Sequence, residues 1–123
     1  MTDYSQMTNE QVNERLATQV MGWHDSECGW WADGIDNVKF FITERDKQDD
    51  SDTVWNPAED LNQAVMCAEK WTNSVENGRI FTEYSNTTWQ VAAMRKGATH
   101  IALIADTLPR ALSEAILQAV DNG

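Results

Sequence analysis

The chain has 123 residues, with 20 acidic against 9 basic side chains and a formal net charge of -11. That length suits a single domain with one core. The charge disfavours direct capture of a phosphate backbone, which needs clustered Lys and Arg, and favours a neutral or basic partner.

The opening "MTDYSQMTNEQ" lacks the basic start and apolar centre of a signal peptide, and no later run approaches the about 20 apolar residues needed to span a bilayer. The expectation is a soluble, intracellular protein without a membrane partner. Cys28 and Cys67 form no CxxC pair, so two free thiols are expected rather than a redox motif or a cysteine-rich zinc site.

Thr8 and Gln11 have the spacing of a capping box, and Met7 and Val12 that of a hydrophobic staple. Val12, Leu16, Ala17 and Val20 follow on one stripe, and Gly22 supplies a left-handed stop, which predicts a first helix from about Asn9 to Met21. Next comes "VMGWHDSECGWWADG", Val20 to Gly34, with three tryptophans, a histidine, a cysteine and three carboxylates. Trp30 and Trp31 are adjacent, so in extended chain they point to opposite faces: one is available to the core and the other to a partner.

"NVKFFI", Asn37 to Ile42, reads as a strand entered through the turn-prone "DGIDN". The following "TERDKQDDSDT" is polar throughout and reads as an exposed acidic loop at about 43–54. In "WNPAEDLNQAVMCAEKW", Asn56 is placed to cap a second helix, with Pro57 at its first position and Glu59 in its first turn. Leu61, Ala64, Val65, Ala68, Trp71 and Val75 make its apolar stripe, and Asn77 and Gly78 end it. "RIFTEYS" and "TTWQVAAM" flank Asn86 and Thr87 as an antiparallel hairpin, and "KGATHIALIA" adds a turn and a strand. Several of these strands are apolar on both faces, as expected where both sides of a sheet are covered. "DTLPRALSEAILQAV" is a third amphipathic helix. The order predicts an α+β fold, a three-layer α/β/α sandwich with a central antiparallel sheet, in one domain over residues 1–123.

Together, "VMGWHD", "GWWADG", "WNPAEDLNQAVMCAEKW" and "ADTLPRALSEAILQAV" resemble the small bacteriophage proteins with the helix–sheet–helix phage ABA sandwich domain. The resemblance covers nearly the whole chain and rests on aromatic and capping landmarks. "DYSQMTNEQVNERLA" is also similar to the opening helix of small phage Nin-region proteins. The stretch from about Lys39 to Val54 departs by being longer and more acidic. The resemblance implies a phage or prophage origin and a sandwich fold, and carries over no reaction and no catalytic residue.

Asp46, Asp49, Asp50 and Asp52 either form a solvated loop or present spaced carboxylates to a basic, nucleic-acid-binding protein surface. The acidic spacing, central Gly and terminal Glu of a calcium loop are absent. His24, Asp25, Glu27 and Cys28 fall short of four convergent zinc ligands, so no metal and no cofactor is expected. No Gly-rich phosphate loop, GxSxG elbow or HExxH helix occurs, and His24, Asp25 and Cys28 are too close along the chain to require a shared active site. His100 reads as a packed or edge strand residue.

The expectation is therefore a non-enzymatic phage protein that blocks a host protein in the bacterial cytoplasm, such as a nucleic-acid-handling CRISPR complex, through Asp46, Asp49, Asp50, Asp52, Trp30 and Trp31. The alternative is a sequestering protein for a nucleotide signal, with tryptophans as stacking plates and Arg79, Arg95 or Lys96 for charge.

Overall fold

The computed structural model describes residues 4–25, 30–33, 37–42, 53–105 and 107–122. A short 3-10 turn, Tyr4–Gln6, leads to Thr8, whose side chain accepts from the Gln11 backbone N–H at 3.2 Å while Gln11 Oε1 accepts from the Thr8 N–H at 2.9 Å. This reciprocal cap starts α1, Asn9–Arg15.

The helix does not continue in α form to Met21 as its stripe predicts. It widens into a π-helical segment, Leu16–Val20, closed by the Met21 N–H donating to Leu16 O at 3.0 Å. Thr18 Oγ1 donates back to the carbonyls of Glu14 and Arg15 at 3.0 and 3.3 Å, a competition that loosens the ordinary ladder. Gly22, at φ 75°, then turns the chain out of the helix.

The strands form two three-stranded antiparallel sheets, where the sequence predicts one central sheet. In the first, β1 (Trp23–Asp25) pairs with β2 (Trp30–Asp33), and β2 pairs with β3 (Asn37–Ile42) with an irregularity between Trp30 and Ala32. In the second, β4 (Arg79–Ser85), β5 (Thr88–Arg95) and β6 (Ala98–Ala105) lie in chain order. Their first turn is Asn86-Thr87, both at positive φ, 53° and 63°, the backbone that matches the twist of two strands joined by a two-residue loop. Gly97, at φ 83°, makes the second.

α2, Leu61–Ser74, begins five residues after Asn56, and its cap is Asp60, which accepts from the Gln63 N–H at 3.2 Å. Asn56 cannot cap because its side chain is already used: Asn56 Oδ1 accepts from Asn13 Nδ2 at 2.8 Å. Asn13 Oδ1 also accepts from the Ala58 N–H, and the Asn13 carbonyl accepts from Trp55 Nε1, both at 2.8 Å. Gln63 completes the lock by accepting from the Asn56 N–H and donating to Val54 O at 3.1 Å. Drawing Gln63 inward rotates the helix, so that Gln63, Ala64, Cys67 and Trp71 are its buried residues. Leu61 and Val65, expected in the core stripe, stay 43% and 40% exposed.

α3, Leu108–Asn122, is buried at every position from Ala111 to Leu117, more than an amphipathic stripe predicts. It packs on β5 and β6, on α2 and on the first helical segment, which leaves little of it for solvent. Burial of Leu112, Ile116 and Leu117 contributes about 1.5–3 kcal/mol each. Arg110 ties the N-terminal turn to this helix, donating to Tyr4 O and Met7 O, each at 2.7 Å, and to Glu114 Oε2 at 2.8 Å. Among the described residues no helix is long and apolar enough to cross a membrane.

Candidate functional site: a rooted acidic segment and an open flank

Two regions of the described residues differ from the rest of the molecule. The first is an aromatic cluster. Trp23 and Phe41 are stacked with ring centroids 5.9 Å apart, and Trp55 meets both edge-on, at 4.8 and 5.1 Å. Trp55 is only 2% exposed. The Ile42 N–H donates to Thr53 O at 2.9 Å, the Trp55 N–H donates to Ile42 O at 3.1 Å, and Ile42 and Val54 form a parallel bridge. Ile42 and Thr53–Trp55, the described residues on either side of 43–52, are thus fastened together beside this aromatic cluster. That segment carries Glu44, Asp46, Asp49, Asp50 and Asp52 against Arg45 and Lys47. The four aspartates themselves lie outside the described residues.

The tryptophan pair divides as follows. Trp30 and Trp31 occupy consecutive positions of β2, opposite Ile42 and Asp25 respectively. Trp31 is buried, 6% exposed, which removes it from a partner surface and corrects its assignment as a contact residue. Ala32 beside it is 2% exposed as well, so β2 is covered on both faces here and Trp31 joins the core cluster of Trp23 and Trp55. The Trp30 side chain lies outside the described residues. Trp71 is buried as well, so four of the six indoles face the core and are not available as stacking plates for a nucleotide.

His24 is exposed on β1 opposite Ala32, and Cys28 lies outside the described residues. Cys67 is buried in α2, and burial pushes its thiol up to about 12, which holds it protonated and unreactive at neutral pH. Among the described residues no three His, Cys, Asp or Glu side chains converge as a metal site.

The second surface is one that the sequence reading placed in the core or under a covering layer. A Cβ on Gly78 would stand 2.6 Å from Thr72 O, so glycine lets the chain reverse tightly at the end of α2 and start β4 against it. Between them runs an open groove of about 390 Å³ lined by Ala68, Glu69, Thr72, Arg79 and Phe81 among others. Leu61, Val65, Ala68 and Thr72 recur at helical spacing along the flank of α2, and Met66 beside them is 37% exposed. On β4, Phe81 is 54% and Tyr84 56% exposed, and only Ile80 of the seven positions is even half-buried. Tyr84 packs on Trp89 of β5, ring centroids 4.9 Å apart. The signal for this flank is present in the sequence: α2 has apolar residues on two stripes, more than one core face needs.

The architecture defines the chain as an α+β protein of helices packed with antiparallel sheets. No protein-family model matches it, and no curated protein does. Among solved structures, a phage protein from Bacillus cereus ATCC 14579 shares the fold, with a TM-score of 0.60 over 97% of this chain and 98% of that one, at 13% identity.

Proposed function

We propose that this is a phage- or prophage-encoded protein that works by binding rather than by catalysis, blocking a basic, nucleic-acid-handling surface of a host protein in the bacterial cytoplasm. Host defence complexes of the CRISPR type present such surfaces. One observation carries the reading: the described residues that flank the acid-rich segment 43–52 are hydrogen-bonded to each other, Ile42 to Thr53 and Trp55 to Ile42, beside a three-ring cluster in which Trp23 and Trp55 are buried. A fixed root limits the conformational freedom that binding would have to remove. Spaced carboxylates in a chain of net charge -11 offer a nucleic-acid-binding protein the charge it ordinarily meets on phosphates. Likeness of fold to a phage protein, over nearly all of both chains, supports the origin. The three-layer sandwich of the phage ABA family belongs to the same proposal, with α3 on the β4–β6 sheet as one of its layers.

The test is affinity capture from host lysate at low and at high salt. A partner retained at low salt and released at high salt is expected, since attraction between exposed charges is screened. Capture of no protein at either salt concentration would contradict the reading.

A further inference from the structure

We propose that the flank formed by β4 and α2 is the contact surface of a homodimer, in which β4 pairs antiparallel with β4 of a second copy about a two-fold axis through Phe81. The inference does not depend on the reading of the segment 43–52.

Among the described residues no strand pairs with the outer edge of β4, the first strand of its sheet. A free edge is a row of unpaired backbone donors and acceptors, and proteins that keep such an edge single usually protect it with proline, a bulge or several lysines. β4 has none of these. Its sequence RIFTEYS contains no Pro and no Lys, and its seven pairs with β5, from Arg79↔Met94 to Ser85↔Thr88, run without a register shift.

The edge is also complementary to itself. Antiparallel pairing about Phe81 sets Arg79 opposite Glu83 of the second copy, Glu83 opposite Arg79, Ile80 opposite Thr82, and Phe81 opposite Phe81. Keeping both sheets facing the same way allows only shifts by two residues. Centring on Thr82 sets Phe81 against Glu83, and centring on Ile80 sets Arg79 against Phe81. Only the register about Phe81 joins opposite charges and apolar partners together.

The helix supports the same occupant. The groove lined by Ala68, Glu69, Thr72 and Arg79 to Phe81 sets the C-terminal half of α2 beside the start of β4, and Leu61 and Val65 continue the Ala68–Thr72 stripe along the helix. A second copy brought to the edge of β4 meets the groove beside it, so that the exposed Phe81 and the Ala68–Thr72 side of α2 are approached from both copies at once. Such a contact is isologous and closes at two copies.

Sedimentation equilibrium of the full chain tests the proposal, and a dimer is expected. Arg79→Glu and Glu83→Arg each set like charges opposite one another twice and weaken the dimer about tenfold, while the double variant R79E/E83R restores it. All three positions of the test are exposed, so circular dichroism should stay that of the parent. Phe81→Cys provides a second readout: directly opposed strand residues have Cα atoms about 4.5–5.5 Å apart, within disulfide reach, so mild oxidation links two chains at Cys in position 81 while the parent stays unlinked. A parent that is monomeric at every concentration overturns the proposal. So does a dimer indifferent to either single charge reversal, or a monomer whose capture of a host protein is abolished by Phe81→Asp, which would assign the flank to the host instead.

Discussion

The contact between α1 and the 53–60 segment and the flank of α2 with β4 use similar residue types to opposite ends. In the first, polar side chains face inward and are consumed: Asn13 alone joins Asn56, Ala58 and Trp55, and Gln63 spans Val54 and Asn56. In the second, apolar side chains face outward, with Phe81 and Tyr84 more than half exposed and Tyr84 packed only along Trp89 of the neighbouring strand. The lesson is that polarity did not decide which residues were buried. Geometry did: a side chain with two or three correctly placed partners goes inside even when it is an amide, and a leucine on the wrong side of the rotated helix stays out.

The contrast can be broken most severely at Trp55. Trp55→Ala removes a ring that packs on both Trp23 and Phe41 and a buried donor to Asn13 O, at a cost of about 3–5 kcal/mol, read as a fall in the urea midpoint. Asn13→Ala leaves the Ala58 N–H without its acceptor and Asn56 without its donor, and should cost about 2–3 kcal/mol by the same measurement.

Cys67 sharpens the comparison through pH. Burial penalises the thiolate and raises its folded value from the ordinary 9.0 to about 12. Its contribution is therefore fully present below pH 9 and is lost as pH rises from 9 towards 12, by about 1.4 kcal/mol per unit. Cys67→Ala should flatten that part of the stability profile relative to the parent, whose tyrosines and lysines it retains. On the flank, by contrast, Val65→Ser and Phe81→Ser should change stability by less than about 0.5 kcal/mol, because neither side chain fills the core of a single chain. A loss several times larger, in protein too dilute to self-associate, would show that the flank is part of the core.

What the sequence makes legible is local. The Thr8–Gln11 capping box, the Gly22 stop, the strand Asn37–Ile42 and the Asn86-Thr87 hairpin are each set by a few neighbouring residues, and all appear where the pattern puts them. The π-helical segment depends on a back-bonding threonine, the shift of the cap from Asn56 to Asp60 on Asn13, 43 residues before Asn56, and the rotation of α2 on the bonds of Gln63 to Val54 and Asn56, none of which periodicity registers. Asn56 is the instructive case. It has the right residue type and a following proline, yet Asn13, 43 positions earlier, uses its side chain first. For the site, adjacency left both Trp30 and Trp31 open to a partner, and only the fold assigns Trp31 to the core. The root of the acidic segment was not legible, because it is made of backbone hydrogen bonds between Ile42, Thr53 and Trp55.

The central claim, that the segment 43–52 presents charge to a basic partner, is tested most directly by changing Asp46, Asp49, Asp50 and Asp52 together to Asn and measuring association with the captured partner across a salt series. The account predicts a slower association rate at low salt and a flattened salt dependence, with a dissociation rate near that of the parent, since exposed charges mainly steer encounter. Association of the quadruple variant at the parent's rate at every salt concentration would contradict it.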